Sequence, residues 1–204
     1  MSSVVAMTAI RGRFLDIKNT VAQAREIHDQ VRYVEDGLLI TKNGQIDYFG
    51  SWQAGQHLIG PDVKVEHYPE QLIVPGFIDT HIHFPQTEMI GAYGEQLLEW
   101  LNTYTFPTEL QFKDAEYSKQ IAQFFIQELL KNGTTTALVF ATVHPESVNA
   151  LFEAATAQNM RMIAGKVLMD RHAPENLCDT AQTGYYDSKT LIEKWHGKGR
   201  NLYA

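Results

Sequence analysis

Hydrophobic and polar positions follow two different rhythms along the chain, and they meet near Pro75. Before it, short apolar runs alternate with turn residues. Residues 9–17 mix apolar and polar positions as a strand does. Leu38-Leu-Ile-Thr41 and Gln45-Ile-Asp-Tyr-Phe49 flank Lys42-Asn43-Gly44. Asn-Gly between two apolar runs predicts a hairpin, because both residues tolerate positive φ. Residues 63–68 alternate, and residues 71–74 form a further short run. Residues 19–34 show no clear period and read either as a short helix or as a long loop. These signals predict a small β-sandwich-like domain over residues 1–74.

From Pro75 onward the rhythm becomes strand, helix, strand, helix. Residues 77–83 read as a strand. Thr134-Thr-Thr-Ala-Leu-Val-Phe140 is β-branched and apolar, as a buried parallel strand is, and residues 161–169 have the same character. Three amphipathic helices fall between or after these strands. Residues 114–131 align Ala122, Phe125 and Leu129, with Asn132-Gly133 as a stop signal. Residues 145–158 align Val148, Leu151, Phe152 and Ala155. Residues 188–198 align Leu191, Ile192 and Trp195. Repeating βα units predict an α/β fold with a parallel sheet, open or closed into a barrel. Asn201-Leu-Tyr-Ala204 reads as the opening of a fourth strand. A (β/α)8 barrel takes roughly 250 residues, about twice what residues 75–204 supply. The expectation is therefore the first three βα units of an incomplete barrel, and a longer native protein.

Composition narrows the function. The chain has 204 residues, 44% of them hydrophobic, enough for a sizeable core. Its formal net charge of -7 argues against a nucleic-acid partner, which would meet a basic face. No apolar stretch reaches the roughly 18 residues that span a membrane, and no signal peptide is recognisable. A cytoplasmic location fits these features. The single cysteine, Cys178, excludes an internal disulfide and a Cys-rich zinc site.

The candidate chemistry centres on His81 and His83. Residues two apart in a strand point to the same side. This pair would project together near the C-terminal end of its strand, the end that carries the active site in a (β/α)8 barrel. Two neutral imidazoles there can hold a divalent metal. With eight His in the chain, the bare pair is equally consistent with ordinary strand histidines. Other polar residues stay open at this level. Asp79 is either an acceptor for an imidazole N–H or a structural hydrogen bonder. His144 either lines the mouth or caps a helix. Glu88, Glu95 and Glu99 could move protons or form a solvated face. Asp170 and Arg171 end the third strand without an assigned role.

The surroundings of the pair change its weight. Pro75-Gly-Phe-Ile-Asp-Thr-His-Ile-His-Phe-Pro-Gln86, preceded by a β domain, resembles the first barrel strand of the amidohydrolase superfamily. The longer stretches look like the guanine deaminases within it: Gly91-Ala-Tyr-Gly-Glu-Gln-Leu-Leu-Glu-Trp-Leu101, Thr105-Phe-Pro-Thr-Glu109, Asn132-Gly-Thr-Thr-Thr136 and Gly165-Lys-Val-Leu-Met-Asp-Arg171. The resemblance implies that His81 and His83 are ligands of one zinc ion. It implies a substrate pocket of His83, Phe84, Pro85, Gln86, Trp100 and Leu101, with Gln86 toward the purine edge and Trp100-Leu101 as walls. The implied reaction is hydrolysis of guanine to xanthine and ammonia. The remaining ligands and the general acid–base Glu are then expected beyond residue 204, so this chain alone would be inactive. Lys166, on the third strand, does not match the bridging lysine that two-metal members carry on the fourth. A homodimer is implied by resemblance only. The alternatives are another amidohydrolase acting on an aminated heterocycle or cyclic amide, or a silent chain that only binds a partner.

Overall fold

The computed structural model describes residues 6–20, 22–94, 96–199 and 202–204. The chain divides into two compact units, one up to Pro75 and one from Gly76 to Ala204.

The first unit is built on one four-stranded sheet. Its strands are β1 (Met7–Ile17), β2 (Val31–Lys42), β3 (Gln45–Ser51) and β4 (Val65–Ile73), in the order β3-β2-β1-β4. β2 runs antiparallel to β1 and β3, and β4 lies parallel to β1. The β2–β3 hairpin turns on Asn43 (φ 51°) and Gly44 (φ 74°), the two residue types that reach this region at least steric cost. The ambiguous stretch contains a short 3-10 helix, Ala24–Gln30, and β2 starts directly after it. The segments read separately at residues 63–68 and 71–74 join in the single strand β4. Ala9, Leu38 and Ile40 are buried with Tyr48 and Trp52 in a small core. Trp52 opens the one-turn helix α1 (Trp52–Gly55).

The second unit runs β5 (Phe77–His83), α2 (Leu97–Trp100), a π-helical turn (Leu101–Thr105), α3 (Phe106–Gln111), α4 (Ala115–Lys131), β6 (Thr134–Phe140), α5 (Pro145–Ala157), β7 (Arg161–Gly165), α6 (Ala181–Trp195) and β8 (Leu202–Tyr203). The sheet order is β5-β6-β7-β8, all parallel. Each strand thus neighbours the next in sequence, with helix between, as in the opening of a barrel. Ala137 and Val139 of β6 and Met162 and Ala164 of β7 are buried against the predicted apolar faces of α4 and α5 and Leu191 of α6. Their alternates, Leu138, Phe140 and Ile163, lie outside this core and are more than a third exposed.

Two boundaries differ from the pattern. α6 begins at Ala181 rather than at residue 188, because Thr180 caps it: Thr180 and Thr183 exchange side-chain-to-backbone hydrogen bonds. The apolar period of Leu191, Ile192 and Trp195 covers only its last turns. β7 stops at Gly165 rather than continuing to residue 169. Lys166 is drawn inward to Asp179, with Nζ donating to Oδ2 at 2.7 Å, and Val167 N–H donates to Thr142 O instead of a strand partner.

Candidate active site

β5 ends in the histidine pair, and its pairing with β6 is uneven there. Asp79 opposes Ala137 and Ile82 opposes Val139, so β5 carries an extra residue between them. The His81 N–H is satisfied inside the irregularity by Asp79 Oδ1, at 3.0 Å. Asp79 therefore acts on the His81 backbone, not on an imidazole. The irregularity leaves both rings on one side. His81 Nε2 and His83 Nε2 stand 3.3 Å apart. Phe140, opposite His83 in the register, stacks on that ring at 4.8 Å and 13° and touches His81 at 5.0 Å.

That nitrogen spacing tests the fit to a metal. Zinc holds imidazole nitrogens at 2.0–2.1 Å, and a tetrahedral angle then separates two of them by about 3.3–3.4 Å. The observed pair matches. Burial pushes His83 below the ordinary imidazole range, and the nearby His81 adds to the shift. Both effects favour the neutral ring, the form that binds metals. Among the described residues no third His, Cys, Asp or Glu joins the pair.

The pair shares a cavity of about 660 Å³ with Gln86, Thr87, Ala92 and Trp100. Gln86 is half-buried on a 3-10 helix, Phe84–Met89, that follows β5 directly. Trp100 Nε1 donates to Ala92 O at 3.2 Å, which fixes the indole against the loop. The other residues of the expected pocket lie differently. Phe84 and Pro85 are buried, and the Phe84 ring packs on Phe112 and Phe125, in the core beneath the cavity. Leu101 opens the π-helical turn and does not line this cavity.

Of the remaining candidates, His144 is buried at the N-terminus of α5, and its Nε2 has no partner among the described residues. Lys166 is engaged by Asp179. Asp170 and Arg171 are exposed neighbours. The Glu88 carboxylate accepts from Tyr117 Oη, Glu99 is exposed, and Glu95 lies outside the described residues. Sequence reasoning missed Phe140 and the buried polar residues Thr105 and Glu109. Strand alternation in β6 could have flagged Phe140, since it places residue 140 opposite the face of Ala137 and Val139.

A parallel βα sheet with a histidine pair at zinc-compatible spacing, at the C-terminal end of its first strand, has the arrangement of the opening of a (β/α)8 barrel with its site at that end. The amidohydrolase family profile matches residues 72–200, and this chain belongs to that family. Within it, the chain is 58% identical over 204 residues to guanine deaminase of Escherichia coli strain K12, aligning all of itself to 46% of that protein. The solved E. coli guanine deaminase superposes with a TM-score of 0.92 at 59% identity, over 96% of this chain and 45% of that one. Guanine deaminase from C. acetobutylicum, with guanine bound in the active site, gives 0.79 at 28% identity, over 95% and 44%. The chain spans about half the length of the curated relatives it matches.

Proposed function

We propose that this chain supplies the metal-binding histidine pair and the base pocket of a guanine deaminase, which hydrolyses guanine to xanthine and ammonia. The observation that carries the reading is the 3.3 Å separation of His81 Nε2 and His83 Nε2, in one cavity with Gln86 and Trp100. The identity to the E. coli enzyme supports guanine over other aminated rings. His81 and His83 would hold a zinc ion, which when bound would supply a water made acidic enough to act as nucleophile near neutral pH. Burial of His83 favours its neutral form, the one with a free lone pair. The stack of Phe140 limits its rotation and screens it from water. The Gln86 amide both donates and accepts, which suits a carbonyl beside ring nitrogens. Trp100 gives the ring a flat apolar surface.

A catalytic zinc takes three protein ligands and a water, and the described residues gather two. The reading therefore includes inactivity of this chain on its own. One zinc per site, a homodimeric full-length enzyme and a cytoplasmic location belong to the same reading and rest on family resemblance. No described helix is long and apolar enough to cross a membrane.

Zinc titration of the metal-free chain tests the centre. One zinc per chain is expected, with affinity falling on the order of tenfold or more in His81→Asn and in His83→Asn. Unchanged binding in both variants would remove the pair from the site. An ammonia-release assay on guanine should show no turnover by the pure chain, and turnover would refute the need for further ligands.

A further inference from the structure

Two devices hold the backbone of the histidine strand, and neither reaches the imidazole rings. The ladder to β6 fixes β5 up to Asp79 and again at Ile82 and His83. Between them the Asp79 carboxylate accepts the His81 N–H at 3.0 Å. Each ring can still turn about χ1 and χ2, and only some rotamer combinations bring the two Nε2 atoms together. Metal-binding imidazoles are commonly steered by a hydrogen bond from the second ring nitrogen to a carboxylate or a carbonyl. Among the described residues no such bond reaches His81 or His83, and the one polar contact of either ring is the other histidine.

A phenyl ring touches both imidazoles instead. Phe140 ends β6, opposite His83 in the parallel register. Its ring lies 13° from the plane of His83 at 4.8 Å, and meets His81 at 49° and 5.0 Å. The two histidine rings are themselves 5.3 Å apart, so each of the three rings touches the other two. In register on the far side of Phe140 is Gly165, which has no side chain to compete for the phenyl ring. Phe140 lies outside the packed core of its unit and is more than a third exposed. The contacts of its ring are thus with the histidines rather than with the interior.

We infer that Phe140 is a positioning residue of the metal centre: by touching both imidazoles at once it holds their Nε2 atoms together and raises the affinity of the pair for a divalent cation. The inference rests on the reading of His81 and His83 as metal ligands, and it holds whichever heterocycle the cavity takes. Two effects act in the same direction. Contact with both rings removes rotamers in which the nitrogens diverge, so less side-chain freedom is lost when a cation binds. The face of a phenyl ring is also electron-rich, while an imidazole that shares its lone pair with a cation is electron-poor. The stack on His83 is therefore stronger in the metal-bound pair than in the free one. In the sequence Phe140 closes an apolar run and reads as one more buried strand residue. Only the register of β5 with β6 lays it against the histidines.

Zinc titration of the full chain, read by competition with a chromophoric chelator, tests this. Phe140→Leu should weaken zinc binding on the order of tenfold, and Phe140→Tyr, which keeps the ring, should bind zinc like the parent. The melting temperature of the metal-free chain should hold in both variants, because Phe140 lies outside the packed core. Proton NMR adds a readout that a merely structural role would not move. The His83 ring lies over the face of Phe140, so its carbon-bound protons should be shifted upfield in the parent and in Phe140→Tyr, and should return toward ordinary imidazole positions in Phe140→Leu. His83→Asn identifies the signal. Parent-like zinc affinity in Phe140→Leu, an equal loss in Phe140→Tyr, a loss that tracks a fall in melting temperature, or His83 signals that ignore the substitution would each overturn the inference. If the two histidine variants weaken zinc binding but Phe140→Leu does not, this inference alone fails and the histidine reading stands. If neither histidine variant changes zinc binding, or the parent binds none, the histidine reading fails and this inference with it.

Discussion

Burial of the Glu109 carboxyl makes stability depend on pH. Its carboxyl holds a proton up to about 7 in the folded chain, against 4.5 for the ordinary side chain. Between those values the folded state binds more protons than the unfolded one. Glu109 therefore favours folding most below pH 4.5, and its contribution is lost as pH rises through 7. Glu109→Gln should flatten that slope and raise stability at pH 8 by about 1–3 kcal/mol. Melts at pH 5 and pH 8 check this, and an unflattened slope would assign the pH dependence to other groups. Lys166 makes the contrast. Its side chain is fully buried, and Asp179 lies 2.7 Å away, so an ion pair offsets its burial. The motif made His81, His83, Gln86 and Trp100 legible in the sequence. It could not show that Phe140 clasps the histidines or that Glu109 is buried, because both depend on residues distant in the chain.

At the scale of elements, the local signals carried well at both ends of α4. Asp114 Oδ1 accepts from the N–H groups of Glu116 and Tyr117, and Gly133 (φ 85°) ends α4 in the left-handed region. Asp114→Ala should lower stability by about 1 kcal/mol, readable as a shift in urea midpoint with unchanged slope; no shift would mean that packing alone holds the first turn. The start of α6 escaped the pattern because its first turns show little apolar period, and its cap is Thr180 with Thr183 instead of the usual Glu or Gln. The entry to β5 was legible for a different reason. A Cβ at Gly76 would lie 2.2 Å from Thr135 Oγ1, so Pro75-Gly76 reflects a close approach of backbone to strand β6, not flexibility.

At the scale of the molecule, each unit has its own core, and the larger one lies on the helical side of the parallel sheet. The other side of that sheet presents Leu138, Phe140 and Ile163, each more than a third exposed. Apolar side chains gathered on one face favour association. The chain should scatter light increasingly with concentration, and Leu138→Glu should reduce that scattering without unfolding the helices. Scattering equal to that of the parent would place the sticky surface elsewhere.

The sequence by itself determined what is local: which residues face inward on each helix, where the Asn43-Gly44 hairpin turns, and that two histidines leave one strand on the same side. Those follow from fixed periods of 3.6 and 2 and from residue-specific backbone freedom. Only the tertiary structure decided the rest. The irregular pairing of β5 with β6 sets the histidine nitrogens 3.3 Å apart. The packing of Phe112 on Phe84 fixes the end of α3 against the segment that carries Gln86. Neither is written in any short stretch, because both are contacts between segments far apart in the chain, chosen by how whole elements bury their apolar surface together.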